Sequence, residues 1–163
     1  MKRLKLYTLL FILAVAGILI WNLVTQSQYK SSLKASAEDS TTITLERYRG
    51  KLTYQREKIS RADFDTWVDS LPSSIGGIST SFTKCWMPHH RITFTTGSGD
   101  QSFNICFSCD EMWGKSYGSR KEIPRPWIPY FRQLFESHGM SCDPPSSEEW
   151  QKYVESLIEK SEE

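Results

Sequence analysis

Hydrophobic and polar positions alternate along this chain with several distinct periods. Residues 7–24 form a nearly unbroken apolar stretch of 18 positions interrupted by Asn22. Further on, Phe64, Trp67, Val68 and Leu71 follow the i, i+3, i+4, i+7 spacing of one helical face. Ser60 and Asp63 stand at capping-box positions before them and Pro72 after them, which predicts a helix over 60–71. Trp127, Tyr130, Phe131, Leu134 and Phe135 predict a second helix over 127–138, closed by Gly139. Ser146 with Glu149, then Trp150, Tyr153, Val154, Leu157 and Ile158, predict a third to about residue 160. Period-two alternation over 91–95 and 102–107, on either side of Gly97, Ser98, Gly99 and Asp100, predicts a β-hairpin. Shorter β-prone pieces at 41–45 and 51–54 around Arg49 and Gly50 suggest an earlier hairpin, and 78–86 reads as a strand. Residues 110–126, broken by glycine and proline, read as a long irregular loop. The expected fold is α+β: one domain over 41–163, with an antiparallel sheet packed by about three amphipathic helices rich in aromatic residues.

The apolar stretch sets the chain's location. Eighteen positions lie near the roughly 17–20 residues needed to cross a hydrocarbon core and exceed the about 7–15 of a signal-peptide core. Residues 1–37 carry Lys2, Arg3, Lys5, Lys30 and Lys34 and no acid. The basic end at 1–6 predicts a cytoplasmic N-terminus, a transmembrane signal anchor over 7–24 and an exported domain, periplasmic or on the cell surface. Residues 25–40, rich in Ser, Gln, Lys and Ala, read as a polar tether. The competing expectation is a cleaved signal, with Ala35-Ser36-Ala37 as the small-x-small site.

Charge then narrows the function. Of 20 basic and 19 acidic residues, 15 and 19 follow residue 37, a net of −4. A mildly acidic body lacks the basic footprint that phosphate neutralisation requires, so nucleic acid is not an expected partner. No nucleotide-binding glycine loop, nucleophile elbow or His-Glu-x-x-His helix occurs.

The unusual chemistry lies between residues 85 and 109, which hold three of four cysteines and two of three histidines. Pairing the hairpin strands would bring Cys85, His89 and His90 beside Cys106 and Cys109. Three chemistries compete for these atoms. A structural zinc ion would use the C-x2-C pair Cys106 and Cys109, Cys85, and either His89 or His90. Such a closed site stabilises a fold and offers no open position for catalysis. Export favours disulfides instead, and four cysteines allow three pairings, some including Cys142. A redox couple at Cys106 and Cys109 is the third, but it lacks a following helix N-terminus, and Asp110 and Glu111 would oppose thiolate formation. Adjacent strand residues face opposite sides, so one of His89 and His90 at most joins the cysteines; His138 reads as a helix C-terminal residue.

The sequence Cys85-x-x-Pro88-x-His90, followed by a strand, a turn, a strand and then Cys106-Phe107-x-Cys109, resembles a pattern in small bacterial proteins, many exported or membrane-anchored, that share C-x-x-P-x-H and C-F-x-C. The resemblance spans residues 80–138. It implies His90 rather than His89 as the partner of Cys106 and Cys109, and it leaves Cys142 outside the shared pattern. It implies no activity. The expected function is therefore a non-enzymatic, membrane-tethered binding domain with zinc at Cys85, His90, Cys106 and Cys109, acting on an envelope protein. Arg120, Lys121 and Arg125 of the loop are candidate contacts. The alternatives are a thiol-disulfide enzyme and a disulfide-stapled protein of protective or immunity type.

Overall fold

The structure, a computed structural model, describes residues 2–50, 52–73, 89–114, 121–144 and 146–161. Cys85, the strand expected over 78–86, Lys115 and Arg120 lie outside them.

A single helix, α1 (Lys2–Glu38), opens the chain. At 1.5 Å per residue it is about 55 Å long. Its large apolar side chains, among them Leu6, Phe11, Leu13, Ile18, Ile20, Trp21 and Val24, are exposed, and the helix is long and apolar enough to span a membrane. The expected tether over 25–40 is not a separate coil: it continues α1, and Gln26, Leu33 and Ala37 are buried with Tyr29 packed against the core. Tyr29, Leu33 and Ala37 recur every four residues, a one-sided stripe inside a polar composition that also suits a helix. Helix α2 (Arg61–Ser70) runs back along it, with Arg61 bonded to the Glu38 carbonyl, Lys34 to Asp69 (2.6 Å) and Lys30 to the Leu71 carbonyl. Ser60 caps α2 by accepting from the Asp63 amide.

The sheet comprises β1 (Thr42–Arg49), β2 (Leu52–Ile59), β3 (His90–Thr96), β4 (Gly99–Cys106), β5 (Glu111–Gly114) and the two-residue edge β6 (Lys121–Glu122). Every pairing is antiparallel, in the order β2-β1-β3-β4-β5-β6. Both expected hairpins form. Gly50 at φ +60° and Gly99 at φ +122° supply backbone that other residues rarely adopt. The first hairpin is longer than expected, and part of the expected irregular loop is strand. After Cys106 the chain turns over four residues, with Asp110 at φ +52°, and returns along β4 as β5. That turn has no proline or glycine to announce it.

One face of the sheet is the core. Ile43, Leu45, Ile92, Phe94, Phe103 and Ile105 project from it. Phe64 of α2 meets Phe94 edge-on (5.4 Å), and Phe131 of α3 (Ile128–Glu136) meets Phe103 (6.2 Å). Trp127, in a 3-10 turn before α3, is fully buried and donates its indole N–H to the Pro72 carbonyl at 2.9 Å. Helix α4 (Ser147–Ser161) opens with the expected capping box: the Glu149 amide donates to Ser146 Oγ, and the Ser146 amide to Glu149 Oε2. It lays Trp150 and Tyr153 on Tyr54 of β2.

Candidate functional site

Two regions bear on function: the cysteine turn at one end of the sheet, and the sheet face opposite the helices.

In the cysteine turn, β4 ends at Cys106, and Cys106 and Cys109 are joined as a disulfide with Cα atoms 5.6 Å apart. Both are buried. Phe107, between them, packs edge-on against His90 (5.0 Å) and Phe135 (5.8 Å), and the Arg132 guanidinium lies over its ring at 5.1 Å. His90 stands opposite Ile105 on the core face. Its Nε2–H donates to the Ser141 carbonyl at 2.8 Å, and burial pulls its pKa down to about 4, with Arg47 among the lesser causes. His90 is therefore a neutral core imidazole at neutral pH.

The sequence expectations divide here. His90 does turn inward beside the C-x2-C pair, while His89 lies outside the strand, its Nδ1 at 3.4 Å from the Tyr48 carbonyl. The Cys106 and Cys109 sulfurs, expected as zinc thiolates, bond each other, and the histidine nitrogen nearest a partner is spent on a backbone carbonyl. Bonded in this way the two sulfurs staple the turn; zinc would take them as separate thiolates. Among the described residues no three His, Cys, Asp or Glu side chains gather for a metal ion. Cys142 is a free, buried thiol on the connector before α4, with its Sγ 3.7 Å from the Arg132 carbonyl. Burial first, then the Glu136 charge, pushes its pKa up to about 12, so it carries no thiolate chemistry near neutral pH. His138 contacts the Leu134 carbonyl at the end of α3. Arg125 is exposed on the turn before α3, and Lys121 lies in the edge strand β6.

The opposite sheet face carries the polar positions of the alternating strands, and a plain solvent side would ask no more of it. It is more organised than that. One row crosses five strands: Arg56, Glu46, Arg91, Asn104 and Trp113 stand side by side in register. The next row is Lys58, Thr44, Thr93 and Ser102, and the third is Thr42, Thr95 and Asp100. Glu46 anchors the first row although it is only 2% exposed. Its Oε1 accepts from Arg56 (2.6 Å), and its Oε2 from Arg91 and from Thr93 Oγ1 (2.8 Å). Burial alone would raise its pKa; hydrogen bonds from Arg91 and Thr93, the Arg91 charge and the Arg56 bond outweigh it and hold the carboxyl below its usual range. Arg91 also donates to Thr53 Oγ1 (2.9 Å) and lies over the Tyr48 ring at 4.7 Å. Tyr48 donates to Asn104 Oδ1 at 2.8 Å. A cavity of about 170 Å³ opens over Glu46, lined by Arg56, Arg91, Thr93, Thr95, Asp100 and Ser102 among others. Trp113 ends the row, 37% exposed.

No family model, curated protein or solved structure matches this chain.

What the arrangement can do follows from its chemistry. The two arginines balance Glu46 and Asp100, so the cavity has no net charge to attract a polyanion. Donors and acceptors alternate across it, and it is smaller than the roughly 300–1,000 Å³ of small-molecule sites. It suits one polar group projecting from a larger partner.

Proposed function

We propose that this chain is a single-pass membrane protein whose exported domain binds another envelope protein through the open polar face of its sheet, without catalysis. The observation that carries this reading is the Glu46 carboxylate, held out of water by Arg56, Arg91 and Thr93 beneath an open cavity. Burying a charge on an otherwise solvated face costs several kcal/mol unless it is fully paired. The face is thus preorganised rather than merely wet. Its shallow cavity, with no nucleophile and general base in hydrogen-bonding reach among the described residues, suits recognition more than turnover.

Anchoring rests on α1 and on the basic residues before its apolar stretch, which favour export of the domain. Signal cleavage after Ala37 would carry Leu33 and Ala37 out of the core they now complete; an uncleaved anchor keeps them. In this reading the cysteine turn is a covalent staple that holds Phe107 on His90 and Phe135. Structural zinc at a reduced Cys106 and Cys109 is the reading it competes with, and metal content alongside a thiol count on denatured full-length protein separates the two.

Native electrophoresis of detergent-solubilised membranes tests the binding claim. Wild-type chain should run in a complex larger than itself, and Ser102→Arg, which projects a long cation into the cavity from a half-buried position, should release it as a monomer. A wild-type chain that runs only as a monomer, or a complex untouched by Ser102→Arg, would contradict the proposal.

A further inference from the structure

We infer that the base of the domain rests directly on the phospholipid headgroups, with no spacer between the membrane-spanning part of α1 and the folded body. The inference rests on the anchored reading above and deepens it, and it comes from where burial begins along one unbroken helix. The apolar stretch ends at Val24, and Gln26 is already 7% exposed. At 1.5 Å per residue, only about 3 Å of axis separates them. Lys30 lies about 9 Å beyond Val24, and Glu38, where the helix ends, about 21 Å beyond it. The headgroup layer is roughly 5–7 Å deep on each side of the hydrocarbon core. Gln26 therefore falls within the headgroups and Lys30 about 2 Å above their outer edge, and a tilt of about 20° lowers these heights by only a few per cent.

The parts of the domain tied to that level are identifiable. Lys30 donates to the Leu71 carbonyl at the end of α2, and the neighbouring Pro72 carbonyl accepts from Trp127. The end of α2, exposed Ser73 and the turn before α3 thus form the base. The opposite pole is equally fixed. The Thr41 amide, three residues past the end of α1, donates to the Thr95 carbonyl, which places the β3–β4 turn with Ser98 at the far end of the helix. No proline or glycine interrupts α1 between Val24 and Glu38 to let the body swing away. Burial of Leu33 and Ala37 and the Lys34–Asp69 pair clamp the helix to α2.

The test uses full-length protein reconstituted in phosphatidylcholine vesicles that carry a nitroxide quencher, on the headgroup for readings at residues 73 and 98 and on the acyl chain for readings at residue 13. An encoded fluorophore is placed at residue 13, 73 or 98. Strong quenching at 13 reports the anchor; the inference expects quenching at 73 at least threefold that at 98. A ten-residue Gly-Ser insertion after Val24 should lower the signal at 73 to that at 98 while leaving 13 unchanged. Strong quenching at 13 with equal, weak quenching at 73 and 98 would overturn the seating and spare the anchor. Loss of quenching at 13 would overturn both.

Discussion

The two faces of this sheet are built from the same strands and do opposite work. On one, Ile43, Leu45, Ile92, Phe94, Phe103 and Ile105 vanish beneath α2 and α3. On the other, positions one residue away carry Thr44, Glu46, Arg91, Thr93, Ser102 and Asn104, and no described helix covers them. A strand's period of two makes such a division cheap to encode. The polar side goes beyond solubility, because a solvent face has no need to bury a carboxylate. The core face stabilises the domain, and the polar face is organised at some cost in stability.

Substitutions should separate those roles. Trp127→Ala removes the largest fully buried side chain among the described residues and leaves the Pro72 carbonyl without its donor. Urea unfolding should show a loss of about 3–5 kcal/mol, while Thr44→Ala, buried on the polar face, should stay at about 1 kcal/mol. A Thr44→Ala loss rivalling that of Trp127→Ala would erase the distinction.

Acid should act on the core face first. Burial holds the pKa of His90 at about 4 in the folded chain against the usual 6.5, so the unfolded chain binds the proton more readily. Stability should fall as pH drops from about 6.5 to about 4, by roughly 3 kcal/mol in all. Glu46 has a depressed folded pKa, so its contribution persists above about 4.5 and is lost only below it. His90→Phe should flatten the stability curve between pH 6.5 and 4 and leave the steeper acid limb. An unchanged slope in that window would place the titration elsewhere.

The smallest effect belongs to the polar face. Glu46→Gln keeps the shape but removes the charge that Arg56 and Arg91 share. Because Arg56 is 61% exposed and Arg91 26%, water screens much of the pairing. The expected loss is about 1–2 kcal/mol by thermal unfolding. Partner binding should suffer far more than stability, since Arg91 is released from its fixed geometry. Equal losses in both would mean that the pair is only structural.

Much of this was legible in the sequence. The i, i+3, i+4 stripes located α2, α3 and α4, and Ser60 and Ser146 cap the first and last of these as their spacing foretold. The hairpin brought His90 to the cysteine turn, as period-two pairing required. Three things were hidden. The stripe of Tyr29, Leu33 and Ala37 is diluted by polar neighbours, so composition suggested a tether where the helix continues. Residues 111–114 pair with β4 because the cysteine turn redirects the chain, and four residues are too few for periodicity to register. The row from Arg56 to Trp113 joins residues up to 67 positions apart, and its alignment depends on strand order, which alternation alone does not specify. The C-x2-C spacing served zinc and disulfide equally well, and only the turn geometry draws the two sulfurs onto each other.

The most direct test of the central claim is photo-crosslinking in intact membranes from each side of the domain. A benzophenone side chain is placed at Ser102 on the polar face or at exposed Gln133 on α3. The account predicts a discrete protein adduct from Ser102 that disappears with Glu46→Arg, and none from Gln133. Adducts from Gln133 alone, or equally from both positions and indifferent to Glu46→Arg, would contradict it.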